Sequence, residues 1–134
     1  MIKKVRAVIY DIKNKEPYFL VLHRILRWSG WEILKETLEN SETLIEALVR
    51  GIKEETQLKN FEIIRDLNKT ESWQKDGINY EIVATFLVKA DMNEAISLKQ
   101  EIREHDGYDW LDRKSAVEKL TWPETKELIK QVEL

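Results

Sequence analysis

Residues 43–57 limit what this chain can fold into more than any other stretch. Thr43 stands three residues before Glu46, the spacing of a capping box, which places a helix start there. Wound at ~100° per residue, Leu44, Ile45, Leu48, Val49 and Ile52 fall within about 140° of one another. A helix with one apolar stripe must bury that stripe against another element, and the surrounding sequence supplies strands. Residues 2–10 mix β-branched side chains with charges, and 18–22 form the expected partner across a turn at 11–16. Residues 61–73 read as one strand, Lys75-Asp76-Gly77 as a turn, and 78–89 as the returning strand of a hairpin. Residues 28–38 read as irregular, with a short extended piece over 31–34, and a further short strand is expected at 109–111. Asp112 is placed to cap a helix over 113–120, and Pro123 to open a last helix reaching about Val132. Strands and helices interleave, so the class is mixed, α/β or α+β.

Such a helix needs a partner layer but no covalent staple. The 134 residues make one expected domain, 1–134, long enough to bury roughly two thirds of its unfolded surface. The chain has no cysteine, which removes thiol nucleophiles, disulfides, cysteine-ligated zinc and iron–sulfur clusters. With two histidines, a zinc site of any kind is not expected. A net charge of −3 argues against a general DNA or RNA coat protein. No stretch approaches the ~18 apolar residues needed to span a membrane. The first six residues, Met1-Ile2-Lys3-Lys4-Val5-Arg6, return to charge too soon for a signal peptide. A cytoplasmic protein, with no DNA or membrane partner, is the expectation.

Beside the apolar stripe, Ala47, Arg50, Gly51, Glu54 and Glu55 share a second arc of the helix. Paired carboxylates on one face suit hard divalent cations such as Mg²⁺, which take oxygen ligands and keep several waters. A cation held there would bridge phosphate oxygens. The plainer reading is a solvated Glu/Lys face, and spacing alone does not choose between them.

A wider pattern does. Glu42, seven residues, then Arg50-Gly51-Ile52-Lys53-Glu54-Glu55-Thr56-Gln57-Leu58 resembles the Nudix box. Glu42, Arg50, Ile52, Glu54, Glu55 and Leu58 match it, while Glu36, Gly51 and Gln57 stand where the family has Gly, Glu and Gly. Trp31 and Lys35 resemble the Trp…Pro-Lys-Gly approach to the box in diadenosine-tetraphosphate hydrolases of this family, with Leu34 and Glu36 replacing Pro and Gly. Residues 104–111, Glu-His-Asp-Gly-Tyr-Asp-Trp-Leu, are similar to the Glu-His-x-x-Tyr-x-Trp-Leu segment of those hydrolases.

The resemblance implies an α+β Nudix fold, a mixed β-sheet sandwiched between helices. It implies a Mg²⁺- or Mn²⁺-dependent pyrophosphohydrolase acting on a nucleoside diphosphate linked to another group, with a diadenosine-tetraphosphate-like substrate favoured. Glu54, Glu55 and Glu104 would be metal ligands. Glu54, Glu104 and Arg50 would be the catalytic set, Glu104 activating water and Arg50 bracing the loop through Glu42. Substrate contacts are expected from Trp31, with Tyr80 behind it, for a base, and from Lys35. His23, Arg24 and Arg27 are candidates for phosphate contact, each equally readable as solvated loop. His105 is a candidate for proton transfer near neutral pH. Trp28, Trp73, Trp110 and Trp122 read as core or rim. Gly51 removes the third box carboxylate; either catalysis is reduced, or Gly51 allows a neighbouring loop to pack closely. If a ligand is missing, Gly51→Glu should raise turnover. The rival is a catalytically inactive Nudix-fold module that binds a nucleotide or an RNA end. The expected state is a monomer or homodimer.

Overall fold

In the computed structural model, which describes residues 1–134, β1 (Ile2–Lys13) turns directly into β2 (Glu16–Arg24). The turn is Asn14-Lys15, both at positive φ (52° and 66°), the left-handed pair a two-residue hairpin turn requires. It is therefore tighter than the turn expected over 11–16, and β1 continues past Tyr10 to Lys13. β3 (Gly30–Glu32) and β4 (Leu34–Thr37) give order to the stretch read as irregular. The remaining elements are α1 (Leu44–Thr56), β5 (Phe61–Asp66), β6 (Glu71–Lys75), β7 (Ile78–Ala90), β8 (His105–Asp112), α2 (Arg113–Lys119) and α3 (Pro123–Gln131).

The eight strands form one mixed sheet with the path β3-β2-β1-β7-β5. β1 and β7 run parallel at its centre; the other pairings are antiparallel. Residues 61–73 are two strands rather than one. β5 pairs with the C-terminal half of β7 (Phe61 opposite Ala90) and β6 with its N-terminal half (Glu71 opposite Ile82). The break falls at Asn68, at φ 56°, whose N–H donates to the Asp66 carboxylate. β8 is longer than 109–111 because it pairs along β2 from Tyr18 to Arg24.

Side chains alternate across the sheet, as period-two strands require. Val5, Ala7 and Ile9 of β1, Leu20 and Leu22 of β2, and Ala84, Phe86 and Val88 of β7 pack with Ala47, Leu48 and Ile52 of α1. Val8 and Tyr10, Phe19 and Val21, and Leu87 pack on the opposite face with Ala116 of α2, its C-cap Leu120, and Leu128 and Ile129 of α3. The class is α+β with helices on both faces. Truncating Leu48 or Ile52, both fully buried, would cost about 2–5 kcal/mol.

Both ends of α1 bear on the site. Thr43 Oγ1 accepts the Glu46 N–H while the Glu46 carboxylate accepts the Thr43 N–H, a complete capping box. The C-cap Gln57 is left-handed (φ 62°, ψ 14°) and its N–H donates to the Lys53 carbonyl. A non-glycine residue in that conformation costs about 1–2 kcal/mol. No helix is long and apolar enough to cross a membrane.

Candidate active site

Arg50, on α1, ties the preceding loop to the helix. Its Nε and Nη2 donate to the two oxygens of Glu42 at 2.7 and 2.9 Å, and Nη2 also donates to the Thr37 carbonyl at 2.8 Å. This bidentate fork is the strong form of an ion pair. It holds the Glu42 carboxyl down to about 2. The remaining nitrogen, Nη1, lies 3.2 Å from Glu36 and 3.3 Å from Glu54.

One turn further along, Glu55 is buried and Glu54 exposed. Glu55 meets His105 of β8, whose two ring nitrogens are both engaged: Nδ1 lies 3.1 Å from Glu55 Oε2 and Nε2 2.8 Å from Glu32 Oε2. Burial would drive protons off His105, but the hydrogen bonds and charges of Glu32 and Glu55 prevail and raise it to about 9. It is therefore an imidazolium near neutral pH, donating to both carboxylates. Burial would raise Glu32; the His105 hydrogen bond and the charges of Lys35 and Arg24 instead lower it to about 2. Burial would likewise raise Glu55, and hydrogen bonds from His105 and Gln100 outweigh it, leaving Glu55 below its ordinary value.

Glu104 behaves oppositely. Burial and the neighbouring Glu55 charge raise it, with Arg24 opposing. Two carboxylates arranged so that one is pushed to keep its proton are what a divalent cation would relieve. Ligand atoms of Glu55, Glu104 and His105 lie within 4.8 Å of one another, but a doubly donating imidazolium has no lone pair for a metal. The available donors are carboxylate oxygens, which fit Mg²⁺ or Mn²⁺ rather than a softer metal.

Of these acids, Glu32 lines a groove of about 480 Å³, within the usual range for ligand pockets. One wall is Trp28, with Trp122 edge-on at 5.2 Å; the other is Trp73, stacked on Tyr80 at 5.4 Å and 5° across the β6–β7 hairpin. Lys35 Nζ lies between them, 5.9 Å from the Trp28 ring and 5.7 Å from that of Trp73. Lys4, Arg6, Arg24 and Arg27 add further cationic lining. Arg6 is buried, pairs through Nη1 with Glu71 and Glu124, and keeps Nη2 without a partner. Arg24 and Glu32 belong to both regions: they line the groove, and Arg24 Nη1 lies 3.1 Å from Glu32 and 4.0 Å from Glu104. The groove follows the place where β1 exchanges partners, from β2 at 10–13 to β4 at 4–7. A second, more open depression of about 420 Å³ beside Asp11 and Lys89 shares no residue with these acids.

Of the residues expected at the site, Arg24, Lys35 and Tyr80 line the groove. Glu55 and Glu104 cluster with His105 outside the groove lining, and Glu54 lies on the exposed flank of α1, paired with Arg50. Trp31 is elsewhere: its ring lies 5.0 Å from His23 and under Lys119 Nζ at 4.2 Å, and it does not line the groove. Trp28 stands on the groove wall instead. His23 pairs with Asp106 at 2.6 Å. Sequence reasoning overlooked Glu32 and Arg6. The available signal was charge inside apolar runs, Glu32 between Trp31 and Ile33 and Arg6 between Val5 and Ala7, since such residues are rarely buried unless paired.

Residues 2–132 match the family model described as NUDIX domain. A comparison with curated proteins finds no match. Among solved structures, a C. elegans Ap4A hydrolase binary complex superposes with a TM-score of 0.84 at 21% identity, covering 97% of this chain and 93% of that one. The E. coli dihydroneopterin triphosphate pyrophosphohydrolase gives 0.74 at 22% identity, with 96% and 92% covered. The NUDIX domain of Shewanella oneidensis NrtR, complexed with ADP ribose, gives 0.70 at 16% identity, with 98% and 85% covered. At these identities the superpositions speak to the fold, and the family match covers almost the whole sequence. The chain belongs to the NUDIX domain family.

Proposed function

We propose that the protein is a metal-dependent hydrolase of phosphoanhydride bonds, acting on a nucleoside diphosphate linked to another group, with a dinucleoside tetraphosphate of the diadenosine type favoured. The observation that carries this reading is the joining of an aromatic-walled, cation-lined groove to an acidic cluster through Arg24 and Glu32. Aromatic faces hold a base, and Arg and Lys meet phosphates.

Glu54, Glu55 and Glu104 would hold Mg²⁺ or Mn²⁺, which when bound would neutralise phosphate charge and acidify a water. His105, fixed between Glu32 and Glu55, orients the Glu55 carboxylate. Glu104 would also accept a proton from the attacking water, a role for a carboxylate within reach of that proton. Arg50 keeps Glu42, Glu36 and Glu54 in one arrangement.

The test is metal-dependent cleavage of dinucleoside polyphosphates, ADP-ribose, dinucleotide coenzymes and nucleoside triphosphates, with the nucleotide products separated and identified by chromatography. Glu54→Gln and Glu55→Gln should each lower turnover by about 100-fold or more, the upper range for disturbing a metal site. The second reading, a non-catalytic nucleotide binder, is favoured by Gly51, which leaves α1 one carboxylate short. It replaces the first if folded protein cleaves none of these substrates in either metal but binds nucleotide without one.

A further inference from the structure

Gly51 does not face empty space. A Cβ built there would lie 2.7 Å from Glu36 Cβ, 2.9 Å from Cγ and 3.2 Å from Oε2. The volume next to α1 that a side chain at 51 would enter is thus filled by the side chain of Glu36, from the neighbouring strand. Glu36 is held there. Its backbone pairs opposite Val5 in the β1–β4 ladder, and its Oε1 accepts the Thr37 N–H at 3.0 Å and pairs with Arg50 Nη1 at 3.2 Å. Glu54 reaches the same Arg50 nitrogen at 3.3 Å. The side chain of Glu36 is only 15% exposed, with Oε2 left over the helix face.

The two departures from the box pattern are therefore one event seen from two sides. The pattern has Gly at 36 and Glu at 51; this chain has Glu at 36 and Gly at 51. Both carboxylates cannot coexist, because the atoms that would collide with a side chain at 51 are Cβ and Cγ of a residue fixed in a paired strand. Two glycines would leave the acidic site one charge short. We propose that Glu36 delivers from β4 the carboxylate that position 51 no longer delivers from α1, and so completes the cation site. This rests on the metal-dependent reading above.

Mn²⁺ binding, followed by loss of the free-ion electron paramagnetic resonance signal, tests it without reference to turnover. Glu36→Gln keeps the size of the side chain, and Glu36→Gly keeps the space. Each should weaken Mn²⁺ by about tenfold or more. Gly51→Glu alone should lower the thermal midpoint. The double variant Glu36→Gly/Gly51→Glu should recover both midpoint and affinity, since the carboxylate has only changed element. A structural role for Glu36 would not be rescued from position 51. Parent-like Mn²⁺ affinity in Glu36→Gln, beside weakened binding in Glu54→Gln, overturns this inference and leaves the hydrolase reading standing. So does a folded double variant that stays weak. If the double variant does not fold, Glu36→Gln decides. Folded parent that binds no Mn²⁺ overturns both readings.

Discussion

His105 shows how one residue's environment sets its task. A histidine with one free nitrogen in a cleft is a proton shuttle; this one has both nitrogens committed, to Glu32 and Glu55. Its folded value, about 9, lies above its ordinary 6.5. The stability it contributes is therefore fully present below pH 6.5 and lost as pH rises through about 9. Glu32 is lowered from 4.5 to about 2, so its contribution is present above pH 4.5 and lost as pH falls through about 2. In chelator, the metal-free protein should lose about 5 °C more of its thermal midpoint between pH 6.5 and 10 than His105→Gln does. Parallel pH curves for the two would refute the imidazolium. The His105 identity and its Glu104 neighbour were visible in residues 104–111. Glu32, its second partner, was not, because 73 positions separate them and no local period connects them.

At the scale of the element, the bounds of α1 were legible almost to the residue, because its capping box is a local property. Its buried face was not: Ile45 of the expected stripe is exposed and Leu44 and Val49 are half-buried, while Ala47, Gly51 and Glu55 of the second arc are buried beside Leu48 and Ile52, because the helix is rotated to pack Gly51 against β4. Thr43 is exposed and acts on the helix start alone. Thr43→Ala should then lower unfolding free energy by about 1 kcal/mol in urea, with Mn²⁺ affinity and turnover unchanged; a loss of affinity would place the cap within the site. The strand elements were harder. Residues 61–73 carry strand-like composition throughout, and what divides them is β7, whose 13 residues accept two partners in succession. Gly51 shows the same limit. Read within its helix it is an absent ligand that Gly51→Glu should restore; beside β4 it is a position already occupied by Glu36, and the single change should destabilise instead.

For the whole molecule, the groove is the feature that no single element contains. β1, β2, β3, β4, β6, β7 and α3 all contribute to its walls. Trp73 is held by its cross-strand stack on Tyr80 and by Lys35 near its ring, so it is presented to a ligand at little ordering cost. Trp73→Leu should raise KM for a dinucleoside polyphosphate about tenfold, within the 1–3 kcal/mol of a base stack, and leave kcat nearly unchanged. An unaltered KM would remove Trp73 from base binding. Its counterpart on the other wall is Trp28 rather than Trp31. The two tryptophans lie three residues apart on either side of the β3 start, and which one turns into the groove depends on the β2–β3 pairing, His23 opposite Trp31 and Arg24 opposite Gly30.

The sequence by itself determined the box helix, the Arg50–Glu42 brace and the mixed class, because each follows from spacing along the chain or from a contiguous motif. Only the tertiary structure decided that Glu32 and Arg6 are buried at the groove, that His105 is a fixed cation between two acids, and that Glu36 fills the place left by Gly51. Those depend on strand register and on distances between residues far apart in sequence. A periodic pattern fixes which face a side chain takes; which residue it then meets is set by how the faces pack.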